Sequence, residues 1–384
     1  MLSQSRWSAV SDLLPDSCET LIVGAGVVGL SIAYELVSRG ANDVVVIDRQ
    51  PPALEASWAG AGILPPGSWY DPHPALESLA ALSGQLNLQW STRLVAETGI
   101  DNQLRPIGGV HLAKTPTRIA ELDAKFAEWR TRGYESDCLS AEELAKLEPG
   151  LHTTDVLAGY LVPGESKIDN RLHAAALVAA LKQQKVPVCY PQAAKSLDRV
   201  DNRQVEVQCE SRTIVAQQAI IATGAWSRVW GEQLGIQLRV RPIRGQMLDF
   251  EPGLPSLLQR IVHHLGQYLV PREAGRLMVG ATVDDVGFDK STNAAQILEL
   301  EEFARTTLPS LVGVPIENTW AGLRPASEDG LPYIGRVPDA HNVLVAAGHY
   351  RSGLQMASAT AVAVADLLAG EQPPIDLTPF SLKR

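Results

Sequence analysis

The 384-residue chain can hold two domains, or one large domain with an insertion, and its 45% hydrophobic and 20% charged residues are those of an ordinary globular protein. Its formal net charge of −10 argues against a polyanion as the main partner, because nucleic-acid binding depends on Lys and Arg neutralising phosphates. Cys18, Cys138, Cys189 and Cys209 are scattered without a C-x-x-C pair, so they suit a reducing compartment, give no metal site and read as small buried hydrophobes.

Residues 1–17 carry Arg6 and two acids but no apolar run with a cleavage site, so they read as an N-terminal extension rather than a signal peptide. No segment reaches the roughly 18 uninterrupted apolar residues of a membrane span, and the cytoplasm is the expected location. The apolar strand Leu21-Ile22-Val23 then runs into Gly24-Ala25-Gly26-Val27-Val28-Gly29, the pattern G-x-G-x-x-G. Val28, Ile32, Leu36 and Val37 share one helical face after it, and the strand Val44–Ile47 ends at Asp48. In this order the features define a dinucleotide site. Gly24 permits the tight turn, Gly26 the approach of a pyrophosphate, and Gly29 close helix–sheet packing. Asp48 can accept hydrogen bonds from both hydroxyls of an adenosine ribose.

Residues 51–75, rich in Pro, Gly, Ala and Trp, read as a long irregular segment beside that site. Helices are expected over 76–98 and 117–132, with a strand at 109–113 between them. Ser140 with Glu143 predicts a capping box for a short helix over 141–148, and Asp169 or Asn170 caps another running to about Gln184. Strands are expected around 186–190, 204–209 and 213–222, then an antiparallel set between 236 and 283 and a helix over 293–307. A strand over Asn342–Ala346, a glycine-bearing turn and an Ala-rich helix over Leu354–Ala369 close the chain. The expected fold class is α/β, a Rossmann-type nucleotide domain interleaved with an α+β domain built on an antiparallel sheet. The expected boundaries are 18–82, 150–230 and 320–375 for the first domain, and 83–149 and 231–319 for the second.

Three further runs carry chemistry. Ala219–Trp226 is an apolar strand closing on a Thr-Gly turn. Gly348-His349-Tyr350-Arg351-Ser352-Gly353 leads into the last helix, whose free N–H groups would favour a negatively charged ring. Arg324 lies in the apolar, glycine-flanked run Trp320–Gly335, where a guanidinium fork suits a carboxylate; a structural salt bridge would explain it equally well.

These runs, together with Asp48, Ala59-Gly60-Ala61-Gly62-Ile63-Leu64, Ala222-Thr223-Gly224 and Gly280-Ala281-Thr282, resemble the D-amino-acid oxidase-like flavoproteins, and within them the bacterial glycine oxidases. The likeness runs from about Glu19 to the C-terminal helix. It implies FAD, held without a covalent bond because no cysteine lies beyond Cys209. By that resemblance Val27 and Val28 meet the pyrophosphate, Asp48 and Arg49 the ribose, and Ala194 the adenine. Ala56, Ser57, Ala61, Gly62 and Ile63 line the pyrophosphate and flavin, while His349, Tyr350, Arg351, Ser352, Gly353, Leu354 and Gln355 wrap the ring. Arg324, Tyr268 and Arg351 meet the substrate carboxylate, and positioning replaces any dedicated catalytic base. Gly266 and Val283 stand where the family has bulkier residues, Ile63 where a Met is familiar, and the Ser57-Trp58-Ala59 lead-in is itself bulkier; the loss of bulk at Gly266 and Val283 leaves room for more than glycine.

The implied reaction is oxidative deamination of glycine, with sarcosine and small D-amino acids as further substrates and dioxygen as acceptor. It would supply glycine imine for the thiazole of thiamine, in a homotetramer. The alternatives are a D-amino-acid dehydrogenase delivering electrons to a quinone, and a flavin-binding module without catalysis.

Overall fold

The computed structural model describes residues 14–69, 73–199, 203–210, 212–251, 253 and 257–384. The expected extension therefore falls mostly on residues 1–13, outside the described residues. The chain enters through β1 (Ser17–Val23), α1 (Val27–Ser38) and β2 (Val44–Ile47). Every residue of β2 and most of β1 are buried, which is why both read as unbroken apolar runs rather than alternating ones. The Pro- and Gly-rich stretch holds only α2 (Ala56–Ala59) and β3 (Ile63–Leu64) before α3 (Pro74–Thr98). Next come β4 (Gly109–Ala113), α4 (Pro116–Thr131), β5 (Asp137–Leu139), α5 (Ala141–Leu147) and β6 (Ala158–Val162). The predicted capping box starts α5: the Glu143 N–H donates to Ser140 Oγ at 3.2 Å, and the Ser140 N–H to the Glu143 carboxylate at 2.8 Å.

After β7 (Ser166–Lys167), α6 (Asn170–Gln183) is capped by Asp169, which accepts from the Arg171 and Leu172 N–H groups. The middle of the chain supplies β8 (Val188–Cys189), β9 (Ala194–Arg199), β10 (Val205–Cys209), β11 (Thr213–Ile221) and α7 (Arg228–Leu234). Then come β12 (Val240–Phe250), β13 (Ile261–His264), β14 (Gln267–Pro271), β15 (Leu277–Gly280), α8 (Ala294–Thr307) and β16 (Ile316–Ser327). The chain ends in β17 (Tyr333–Val337), β18 (Ala340–Ala347) and α9 (Gly353–Ala369).

Two large sheets result. The first has the order β17-β18-β11-β1-β2-β8, with β9 and β10 branching from β11. Its centre is parallel: β1 pairs with β11 and β2, and β11 with β18. One face carries α1, α3, α6 and α9 over a core that includes Ile22, Leu30, Leu79, Leu177 and Val364. The opposite face buries Leu21, Val45, Ile214 and Val343 with Trp230 of α7. The second sheet, β16-β12-β15-β14-β13-β4-β6-β5, is antiparallel except between β13 and β4. Its core face packs Leu248, Phe250 and Val279 against Leu300 and Phe303 of α8. Its other face points Met247, Val270 and Met278 toward Ala59 and Ala61.

The hydrogen bonding sorts residues differently from the boundaries drawn on the sequence. Strand β6 pairs with β4 and β5, and β16 pairs with β12 from Val240↔Ser327 to Phe250↔Ile316, so both lie in the second sheet. The whole of α3 packs with α6 and α9 on the first. Cys138 also departs from the reading of four buried cysteines. It is exposed on β5, an edge strand, while Cys18, Cys189 and Cys209 are buried, and all four are free thiols.

Candidate active site

The carboxyl ends of the parallel strands β1 and β11 meet the N-terminus of α1, the place where an open α/β sheet presents a crevice. Gly24, at φ 114°, has no room for a side chain: a Cβ would lie 2.4 Å from the Ala222 carbonyl oxygen. A Cβ on Gly29 would lie 1.9 Å from the Gly24 carbonyl, so glycine there seats the helix against the turn. Gly26 has nothing nearer than Ser57 Oγ, at 3.5 Å, and leaves the surface open to a ligand. No acidic residue occupies the first turn of α1 and its N-cap residue Gly26 has no side chain to cap it, so no charge neutralises its positive end from within. The Val27 N–H donates to Ser57 Oγ at 2.9 Å.

Beside this turn Asp48 is mostly buried. Burial raises its pKa, against the Ala25 and Gln50 N–H groups that donate to its two oxygens at 2.7 and 3.1 Å. Arg49 lies over Trp226, 3.7 Å from the ring centroid, and pairs with Glu55 at 2.8 Å. Asp48, Arg49, Ala194 and Trp226 line one cavity, and Val27, Val28, Ala61, Gly62, Ile63 and His349 line a second. The two share Gly26, Ala56, Ser57, Ala222 and Gly224 as common wall, so they join end to end. An elongated cradle with an acid at one end and two uncapped helix starts along it fits the shape and charge of FAD.

The second cavity, with about 1270 Å³ of empty space, reaches the second sheet at Gly245, Met247, Tyr268, Gly322 and Arg324. The β12–β16 register sets Gly245 opposite Gly322, so the Arg324 guanidinium lies where a side chain on Gly245 would be, its Nη2 2.1 Å from that Cβ position. Gly280 likewise leaves space for the Tyr268 ring, which would stand 2.7 Å from a Cβ there. Arg324 Nη1 donates to the carbonyl oxygens of Thr282, at 3.0 Å, and Arg244, at 3.3 Å. Among the described residues no carboxylate lies within salt-bridge distance of Arg324. Burial lowers its pKa, and the Arg351 charge lowers it further. Burial also raises the pKa of Tyr268, which keeps its hydroxyl protonated although Arg324 and Arg351 pull the other way.

The turn before α9 closes the cavity. His349 is buried, its Nε2 3.0 Å from Thr360 Oγ1, and burial pushes its pKa down to about 4, so it is neutral at pH 7. Tyr350 has φ 48° and its N–H donates to the Pro325 carbonyl at 2.8 Å, fixing the turn. Arg351, Gly353 and Leu354 line the cavity with His349 and Tyr350. Gly29, Ser352 and Gln355 line neither cavity. Ser352 stands at the N-cap without a side-chain bond, and Gln355 Nε2 donates to the Pro65 and Gly67 carbonyls, at 2.9 and 3.0 Å, tying α9 to the long loop.

Gly266, Val283 and Ile63 do lie on the cavity wall. Leu265 and Gly266, at φ 49° and 87°, form the two-residue turn of the β13–β14 hairpin, which explains the glycine by backbone geometry. Next to Tyr268, whose ring packs edge-on against His263, the buried His111, Glu165 and His263 come together. His263 Nε2 is 2.9 Å from a Glu165 oxygen, and the two imidazoles stack with 7° between planes.

Gly245 and Met247, and the carbonyls of Arg244 and Thr282 that hold Arg324, belong to the site without being among the residues expected from the sequence, and Gly322 was expected only as part of the run around Arg324. A glycine inside a strand pattern marks a close approach, and that signal was present at Gly245 and Gly322.

A cradle for a dinucleotide joined to a pocket with a buried, acid-free guanidinium is the arrangement of a flavin-dependent oxidoreductase. The model of the DAO family, FAD dependent oxidoreductases, matches residues 19–367, and the chain belongs to that family. It is 31% identical over 367 residues to glycine oxidase of Geobacillus kaustophilus, covering 95% of this chain and 97% of that protein. The crystal structure of that enzyme superposes with a TM-score of 0.92 over 96% of this chain and 99% of its own. Glycine oxidase of Pseudomonas putida is 33% identical over 95% of this chain and 98% of its own length. The bifunctional protein ThiO/ThiG of a Nostoc species is 32% identical over 95% of this chain and 55% of that protein. No described helix is long and apolar enough to cross a membrane.

Proposed function

We propose that this chain oxidises glycine to its imine, which water hydrolyses to glyoxylate and ammonia while dioxygen is reduced to hydrogen peroxide. Sarcosine and small D-amino acids belong to the same proposal. The observation that carries it is Arg324: a buried cation on the cavity wall, beside a phenol, with no protein carboxylate to neutralise it. FAD, when bound, supplies the acceptor for the two electrons leaving the Cα–H bond.

The chain's own part is positioning. Nη1 of Arg324 is engaged by two carbonyls and the guanidinium also hydrogen-bonds Tyr268, so its remaining N–H donors and the phenol form one patch to grip a substrate carboxylate. The Tyr268 hydroxyl adds a donor to the same anion. Asp, Glu and Lys are missing from the described residues that line this cavity, and its His349 is neutral. No wall group therefore takes up the amine proton, and the substrate reacts as the free amine. Met247, Ile63 and Ala281 give the pocket an apolar side that keeps water from the reacting carbon.

The roles assigned above to Asp48, Arg49, Ala194 and the 56–63 loop are part of this proposal, as are a cytoplasmic homotetramer and supply of glycine imine to thiazole formation. Purified protein given glycine under air should release hydrogen peroxide and glyoxylate in equal amounts. Anaerobic bleaching of the flavin without peroxide in air would point to a quinone as acceptor. No bleaching at all would make the chain a flavin-binding module.

A further inference from the structure

Arg324 has no ion-pair partner among the described residues; besides its hydrogen bond with Tyr268, its aim is set by the two carbonyls that accept from Nη1. Both belong to one junction, where residues 282–284 fold back onto β12. The Arg244 N–H donates to the Asp284 carbonyl at 2.8 Å, the Asp284 N–H to the Arg244 carbonyl at 3.0 Å, and the Thr282 N–H to the Gln246 carbonyl at 3.3 Å. Asp285, Val286 and Phe288, just beyond this junction, are exposed.

One side chain gathers the junction. Asp284 Oδ2 accepts from Thr282 Oγ1 at 2.8 Å, from Gln246 Nε2 at 3.1 Å and from Arg244 Nε at 3.4 Å. Its Oδ1 accepts from Gln296 on α8. Gln246 is fully buried, and its Oε1 accepts from the N–H of Asn293, the cap of α8. A single carboxylate thus ties the loop, strand β12 and a helix start together, directly behind the two oxygens that face Arg324. It also neutralises Arg244, with help from Asp289 at 2.9 Å.

We infer that Asp284 is a positioning residue for the substrate carboxylate, acting through the Thr282 and Arg244 carbonyls to set the orientation of Arg324. The inference rests on the reading of Arg324 as the carboxylate site. Replacing the carboxylate by an amide turns one acceptor into a donor facing other donors, so the junction loosens while the sheet and the cradle remain. Misplacing a binding group by about 1 Å costs on the order of a hundredfold in rate or affinity, and a loosened one somewhat less.

The test titrates acetate, a bare carboxylate, into the FAD-loaded protein and follows the flavin absorbance, alongside steady-state kinetics with glycine. In Asp284→Asn the acetate Kd and the glycine KM should both rise roughly tenfold or more, with kcat and FAD content close to those of the parent. Gln296→Ala, which removes one hydrogen bond to Asp284 from outside the pocket, should move both in the same direction by less. If the parent binds acetate and either folded variant binds it equally well, the positioning role is wrong. A fall in kcat and FAD content with Kd unchanged would overturn it too. If the parent itself binds no carboxylate, the reading of Arg324 fails instead, and the two failures are distinct. Should Asp284→Asn not yield folded protein, Gln296→Ala decides alone.

Discussion

At Gly245 the absence of a side chain makes the site, because the Arg324 guanidinium fills the place a methyl group would take. Gly245→Ala should therefore push Arg324 off its carbonyl partners and mimic its loss. Arg324→Ala itself removes a desolvated, charge-assisted contact of roughly 2–5 kcal/mol, so KM for glycine should rise by orders of magnitude with FAD content unchanged. Normal glycine kinetics in Arg324→Ala would refute the carboxylate assignment, and normal kinetics in Gly245→Ala the packing argument. The same wall governs pH. Burial holds His349 at a pKa of about 4, and His173 likewise, so neither titrates in the folded protein between pH 5 and 8. kcat/KM should then rise steadily with pH, following only the substrate amine, and a protein inflection near neutrality would reveal a base on the wall. Stability runs the same way by linkage. Both imidazoles are depressed from an ordinary 6.5, so the unfolded chain takes up more protons as pH falls from about 6.5 toward 4, and the fold weakens across that window. Unfolding midpoints in urea, measured from pH 7 to 4, should fall accordingly.

Elements carry the cofactor end. α1 and α9 both begin without an acidic first turn or a side-chain bond from the N-cap residue, an arrangement that leaves two positive helix ends along one cradle. Asp48 holds the turn into α1 through the Ala25 N–H as well as lining the cavity proposed for the adenosine. Asp48→Ala should weaken FAD retention during gel filtration while circular dichroism stays that of the parent. Equal retention would remove Asp48 from the ribose. At this scale the chain was legible wherever a local rule applied. The glycine fingerprint placed β1, α1 and β2, Ser140 with Glu143 placed α5, and Asp169 placed α6. It was less legible where burial hid the period. In β12 almost every residue is buried, so no alternation shows, and only its 246–250 end reads as a strand. β16 alternates at Ile316–Trp320, then runs into Gly322 and Pro325, and it reads as a motif-bearing segment rather than a twelve-residue strand. β9, with the polar sequence Ala194–Arg199, carries too little apolar signal. Arg324 was visible as an unusual cation in an apolar run, but its carbonyl partners Thr282 and Arg244 come from other parts of the chain.

Over the whole molecule, the cavities lie between two separately built sheets, each with its own hydrophobic core. The halves meet across this gap through the apolar cluster around Ala59, Ala61 and Met247 and through polar bridges: Trp320 Nε1 donates to the Ala59 carbonyl at 3.1 Å, and Lys290 pairs with Glu55 at 3.2 Å. Arg272, fully enclosed, donates to the Ile168 carbonyl at 2.7 Å and to that of Ala61, and so fastens the long loop to the second sheet. A ligand filling the cradle would touch both halves, so its binding energy should appear as stability of the whole fold. A ligand that binds only the native state adds about 2.7 kcal/mol at a hundredfold excess over its Kd. Stripping FAD should therefore lower Tm by several degrees, and adding it back should raise Tm in proportion to the logarithm of its concentration. The Arg324→Ala protein should follow the same line as the parent, because that residue lies beyond the cofactor end. In Asp48→Ala the rise should begin only at higher FAD concentration. A Tm indifferent to added FAD would mean that the cradle does not join the two sheets through the cofactor, whatever activity the loaded protein shows.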